Sequence, residues 1–342
     1  RPSECNYCWN IEDSSNSFSD RIFKSTEPWS FDQFDEIVKS DWRKDYNPRY
    51  VEVSFSNTCN FKCAYCGPQY SSKWVEEIEK FGHYETTNRF NSIEDLKNRN
   101  EMPYKHSEHN PYIDAFWEWW PDLFKDLHTF RITGGEPLLS KDTFKVLEYI
   151  QENSNQNPNI SLAINSNLGA PDNIIDRFIE IAKDLCENNK VRELIIFTSV
   201  EAKGSQAEYT RHGLDYERFW SNVDKILTIL PKVTINIMAT FNALSVFTYS
   251  DLIDRVFESK KKFANNERYW ISAIQLDTSY LRYPSHLSVK ILETEHKELI
   301  LDSAKKALYY GMTEFVQGAY GFSNTEIQKI KRLYDYAIFE DD

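Results

Sequence analysis

Six short runs rich in β-branched and aromatic residues punctuate the chain: Tyr50–Ser56, His128–Thr133, Ile160–Asn165, Glu193–Val200, Val233–Phe241 and Trp270–Asp277. Each has the length and composition of a strand. Between them apolar residues recur at helical spacing, most clearly over Ile174–Glu187, where Cys186 falls on the buried side as a small hydrophobe. Strands alternating with helices predict an α/β fold built on a parallel sheet with right-handed crossovers. In such folds a ligand gathers at the carboxyl ends of the strands.

Three stretches break this rhythm. The connection 67–127 is too long for a plain crossover. It opens helically (Ser71–Phe81), runs through polar residues from His83 to Asn110 and ends in a tryptophan-rich helix around Phe116–Phe124, expected to pack on the sheet, with a substrate-covering lid as the alternative. Its histidines His83, His106 and His109 are irregularly spaced and read as a solvated segment. After Tyr283 the chain turns helical over Ser288–Tyr310 and Thr325–Tyr336, with Ser323 or Asn324 as a cap. The division that follows is an N-terminal cysteine-containing segment (1–45), a core (46–285) carrying the insertion 67–127, and a C-terminal helical extension (286–342). Lys260–Lys262, at the end of a helix-like segment, reads as a solvated basic terminus.

Chemistry enters directly after the first strand-like run, where Cys59, Cys63 and Cys66 follow at spacings of four and three residues. Three close thiols suit three irons of a cubane and leave a fourth iron open. A zinc knuckle completed by a distant residue, or three unrelated thiols, are the other readings of the loop alone. The second run ends Thr133-Gly134-Gly135-Glu136-Pro137, where bare backbone approaches a ligand closely and a carboxylate accepts from an ammonium.

Cys-x3-Cys-x2-Cys with aromatic Tyr65 before its last cysteine, followed by Gly-Gly-Glu-Pro, resembles the radical S-adenosylmethionine (SAM) enzymes. The resemblance implies an open six-stranded (β/α)6 partial TIM-like barrel, a 4Fe–4S cluster on Cys59, Cys63 and Cys66, and SAM on its open iron. It further implies that Tyr65 lies beside the adenine, that Glu136 with Gly134 and Gly135 receives the methionine ammonium, and that Ser199 meets the ribose and Arg211 the carboxylate. Asn165 opens the turn where relatives carry Thr-Asn-Gly, and Thr240, Asn242 and Met238 stand near the next strand end. For Arg211 the competing reading is a surface salt bridge. The activity implied is reductive SAM cleavage to a 5′-deoxyadenosyl radical that takes hydrogen from substrate, with an electron donor such as flavodoxin or ferredoxin.

Glu4-Cys5-x2-Cys8-Trp9-x2-Glu12 resembles the segment before the core in twitch/SPASM-like members, which carry an auxiliary cluster. Two cysteines do not complete a cluster, so further ligands are expected upstream of Arg1. Members of that group often modify ribosomally made peptides. The expected substrate is therefore a peptide or small metabolite, with nucleotide or sugar modification, or an inactive cluster-binding adaptor, as alternatives.

Composition adjusts this picture slightly. A net charge of −13 speaks against general nucleic-acid binding. Six cysteines, three of them committed to a cluster, suit a reducing cytoplasm. No apolar run is long enough for a membrane span.

Overall fold

The computed structural model describes residues 3–14, 19–87, 90–105, 108–264, 272–314 and 320–338. Six strands form one parallel sheet in strict chain order: β1 (Tyr50–Ser54), β2 (Thr129–Thr133), β3 (Ser161–Asn165), β4 (Glu193–Ser199), β5 (Thr234–Phe241) and β6 (Ile274–Tyr280). The register places Val53, Ile132, Ile164, Ile196, Ile235 and Ile274 in a single row across all six strands. The five isoleucines of that row are wholly buried. Each contributes roughly 1.5–3 kcal/mol of burial, and branched side chains suit the pleat. Helices including Lys141–Asn153, Asp172–Glu187, Tyr216–Ile229 and Tyr249–Lys262 cross between the strands, as expected of an open (β/α)6 partial barrel. Cys186 is buried in the second of these helices.

The sixth strand lies later than the sequence suggests, because the alternating run Ile-Gln-Leu-Asp-Thr-Ser-Tyr pairs with β5. Trp270 falls outside the described residues.

The insertion forms helices Ser72–Phe81, Ile93–Asn98 and Pro111–Asp126. The last packs on the sheet through buried Phe116, Trp120, Leu123 and Phe124, with the Trp120 and Phe130 rings 4.7 Å apart. Phe90, also buried, meets Tyr283 at 5.7 Å and His286 at 5.6 Å, so the insertion reaches from the β1 side to the chain leaving β6. His83 is exposed, and exposed His109 pairs with Asp114 at 3.1 Å. His106 lies outside the described residues.

Lys260 does not form a solvated helix end. It is 1% exposed and pairs with Glu326 at 2.8 Å, while Lys261 and Lys262 do face solvent. Glu326 belongs to the helix Asn324–Ile338, where it forms a capping box with Ser323. Its Oε1 also accepts from the backbone N–H of Leu276 on edge strand β6, at 2.8 Å. Thr294–Glu314 packs beside this helix.

The N-terminal segment is helical over Asn6–Ser14, Asp20–Ser25 and Pro28–Lys39. Its Trp9 and Glu12 clasp Arg21, whose guanidinium lies 3.8 Å from the indole centroid and bonds to Glu12. No helix among the described residues is long and apolar enough to cross a membrane.

Candidate active site

Cys59, Cys63 and Cys66 sit on the loop leaving β1, and the loop is stitched to its surroundings along three seams. A two-residue strand, Lys62–Cys63, pairs antiparallel with Arg211–His212, placing Cys63 opposite Arg211. At the end of β2, Gly135 N donates to Ser56 O at 3.0 Å and Glu136 N to Thr58 O at 2.7 Å. At the end of β3, Asn167 Nδ2 donates to Asn60 Oδ1, and Asn60 Nδ2 to Gly169 O, each at 2.8 Å.

The glycine pair serves the second seam. Gly134 has φ +121°, and a Cβ there would stand 2.6 Å from Ser56 O; one on Gly135 would stand 2.3 Å from Thr58 O. These glycines permit a close approach of the cysteine loop that a Cβ at either position would block.

The three thiols are half-buried; Cys59 and Cys63 meet N–H donors, while Cys66 Sγ donates to Gly67 O at 3.8 Å. Phe61 N lies 3.4 Å from Cys59 Sγ, Asn167 Nδ2 3.9 Å from the same sulfur, and Arg211 Nη1 3.5 Å from Cys63 Sγ. Burial pushes Cys59 up to about 11 and Cys66 up to about 12, and it raises Cys63 against the opposing pull of Arg211. The loop therefore holds neutral thiols at pH 7. A metal bound there must displace their protons, and the N–H donors then stabilise the thiolates.

Glu136, expected as a strand-end carboxylate facing a ligand, is deeply set in the protein. It is 2% exposed: Oε1 accepts from Ser166 Oγ at 2.8 Å and Leu138 N at 3.1 Å, and Oε2 from Asn167 N at 2.6 Å. Burial pushes its carboxyl up to about 7 against these donors. It ties the β2 end to the turn after β3, and one lone pair of Oε2 has no donor among the described residues.

Arg211 is no surface salt bridge. Its Nε bonds to Glu201 Oε2 at 2.7 Å, with side-chain exposures of 7% and 0%. Its Nη2 bonds to Tyr65 OH, which in turn lies 3.4 Å from Glu201 Oε2. Two of the five guanidinium N–H bonds have no partner among the described residues. Burial would lower the Arg211 pKa, but Glu201, Tyr65 and Cys63 carry it upward, so the cation persists. Glu201 Oε1 is buried without a hydrogen-bond partner among the described residues.

Sequence reasoning missed Glu201. An acid at the end of an apolar strand, ten positions before the candidate arginine, was the available signal.

The remaining candidates are scattered along the same edge. Asn165 Oδ1 accepts from Arg131 Nε at 3.0 Å. Half-buried Ser199 ends β4 beside Met238 of β5, and Thr240 is half-buried further along β5. Asn242 is wholly buried and turned on its own loop, donating to Thr240 O and accepting from Leu244 N, each at 2.9 Å. Cys5 and Cys8 lie on the N-terminal helical turns Ser3–Cys5 and Asn6–Ser14, both half-buried.

No protein-family model matches the chain, and no curated protein sequence does. Among solved structures it is similar to Streptococcus suis SuiB bound to S-adenosylmethionine, at TM-score 0.48 and 14% identity, over 94% of this chain and 60% of that one. The chain thus spans about 60% of the length of that protein.

Proposed function

We propose that the protein is a radical SAM enzyme, holding a 4Fe–4S cluster on Cys59, Cys63 and Cys66 and SAM on the cluster's open iron. The observation that carries this reading is the cysteine loop itself: three thiols, N–H donors at the Cys59 and Cys63 sulfurs, and backbone seams to the Gly-Gly-Glu turn and to the Arg211 strand. When bound, the cluster and SAM supply an electron and a carbon-centred radical that takes hydrogen from substrate.

The chain's own residues bind and orient. The loop is fixed on three sides, which limits the reorganisation a cluster would require. The spare Oε2 lone pair of Glu136 suits an ammonium, and the two remaining N–H bonds of Arg211 suit a carboxylate. Tyr65 stands between the cysteines and the Arg211–Glu201 ion pair, where an adenine-sized ring has an aromatic neighbour; Asn165 and Ser199 extend the same edge. Gly134 and Gly135 act through the loop they admit.

The substrate in this reading is a peptide or a small metabolite, and electrons come from a flavodoxin- or ferredoxin-like donor in a reducing cytoplasm. Cys5 and Cys8 belong to an auxiliary site of the twitch/SPASM type.

Anaerobic reconstitution tests the proposal. About four irons per chain should bind, SAM should perturb the cluster spectrum, and dithionite should release 5′-deoxyadenosine from SAM. The triple variant Cys59→Ala/Cys63→Ala/Cys66→Ala should lose all three properties. Zinc in the site, or full iron content in the triple variant, would remove the cluster assignment, and a cluster that leaves SAM intact would favour the inactive adaptor.

A further inference from the structure

The three sulfurs of the cysteine loop have unequal neighbours. Cys59 Sγ meets neutral donors, Phe61 N at 3.4 Å and Asn167 Nδ2 at 3.9 Å. Cys66 Sγ has no N–H donor among the described residues and faces Gly67 O at 3.8 Å. Among those residues Cys63 Sγ alone meets a charged donor, Arg211 Nη1 at 3.5 Å.

That donor is held from two directions. The pairing of Lys62–Cys63 with Arg211–His212 sets the two backbones side by side, and Ala64 N donates to Thr210 O at 2.8 Å. The other guanidinium nitrogens are engaged elsewhere, Nε with Glu201 Oε2 at 2.7 Å and Nη2 with Tyr65 OH. The fork therefore bridges a sulfur and a carboxylate, with the cation beside the sulfur and the anion behind it. Side-chain exposures are 7% for Arg211 and 0% for Glu201, so dissolved ions screen neither strongly. A buried ion pair is weak evidence for stability, because apolar residues of similar volume often fold as well or better. An oriented pair of charges against one sulfur has a second use. The reduction potential of an iron–sulfur cluster depends on net charge, on hydrogen bonds to its sulfurs and on exposure to solvent.

We propose that Arg211 and Glu201 set the reduction potential of the cluster, Arg211 raising it through Cys63 and Glu201 holding it back. Reduction adds one negative charge beside Cys63. The guanidinium stabilises the reduced state more than the oxidised one, and Glu201 opposes it from behind. The inference rests on the radical SAM reading and adds to it a task for Glu201, whose charge reaches the sulfur past Arg211.

The test is a titration of the cluster-loaded full chain with titanium(III) citrate, without SAM and at fixed pH and salt, followed by electron paramagnetic resonance of the reduced cluster. One electron passes from titanium(III), which becomes titanium(IV), to the cluster. Leaving SAM out keeps any role of Arg211 in SAM binding from entering the result. Arg211→Gln removes a charge-assisted hydrogen bond to a half-buried sulfur and should lower the reduction equilibrium constant roughly tenfold, about 59 mV for one electron. Glu201→Gln should raise it several-fold. The double variant Glu201→Gln/Arg211→Gln should return toward wild type. Arg211→Lys keeps the charge and should lie closer to wild type than Arg211→Gln does. A purely structural role gives no such reversal of sign. If Arg211→Gln takes up no iron, the sign of the Glu201→Gln shift decides the matter.

An unchanged potential in either Gln variant, shifts of the same sign in both, or an Arg211→Lys value as low as that of Arg211→Gln would overturn the inference. Failure of wild type to take up iron would instead sink the reading beneath it.

Discussion

Replacing Glu201 by Gln tests the buried ion pair most directly, because the shape is kept and only the charge is lost. The Gln carboxamide oxygen still accepts from Arg211 Nε, but the guanidinium, 7% exposed, keeps its charge with no anion beside it. Removing one partner of a buried pair costs about 3–5 kcal/mol. That is a large part of a typical folding free energy, of order 5–15 kcal/mol. With an unfolding entropy of about 2.1 cal/mol/K per residue, a chain of 342 residues should lose roughly 4–7 °C in Tm. The assay is thermal and urea unfolding of the cluster-free protein by circular dichroism, with Lys39→Ala as the control. Lys39 is exposed and lies 3.8 Å from Asp35, so its loss should stay within about 0.5 kcal/mol. A double variant, Glu201→Leu/Arg211→Met, should recover much of the loss. A Glu201→Gln protein that melts with wild type would refute the claim that this pair is energetically coupled in the folded state.

Arg211→Lys keeps a charge but not the planar fork, so SAM affinity by calorimetry should fall several-fold; an unchanged value would take Arg211 out of SAM binding. Glu136 titrates near 7 in the fold against 4.5 as a free side chain, so the folded state holds its proton more tightly. Its contribution is therefore complete below about pH 4.5 and is lost as pH rises through about 7, and Glu136→Gln should gain roughly 3 kcal/mol on wild type across that window. Parallel pH profiles in urea unfolding would deny it. Lys260→Ala should destabilise by about 3–5 kcal/mol by stranding Glu326, whereas Lys261→Ala should be nearly neutral; equal effects in chemical denaturation would return Lys260 to the solvated reading. If Cys5 and Cys8 serve an auxiliary cluster, replacing both by Ala should remove the iron bound beyond the roughly four held by Cys59, Cys63 and Cys66. An unchanged count would leave them without that role.

Local pattern carried much of the fold, and it failed where a residue answers to a distant partner. The β-branched runs at Ile160–Asn165 and Val233–Phe241 lie within a residue of β3 and β5, since burial in a parallel sheet demands such a run wherever it occurs in the chain. Lys260 misled because the carboxylate that buries it lies far downstream on another helix, and a run of three lysines carries no sign of it. Gly134 and Gly135 were legible as a close approach, but not as an approach to Ser56 and Thr58, which only the β1–β2 register reveals. Glu136 was legible as a carboxylate at a strand end, while its burial depends on Ser166 and Asn167 from the neighbouring strand end.

The bond from Leu276 N–H to Glu326 has a bearing on solubility. An outermost strand with unused amides is a template on which another chain can add itself. By filling one of those amides from a helix that lies along the sheet margin, Glu326 makes the last helix a guard against edge-to-edge polymerisation. A chain cut before Asn324 would keep the row of isoleucines and the cysteine loop, yet should precipitate as sheet-rich aggregates at concentrations where the intact chain stays dispersed. Light scattering of the two would show it.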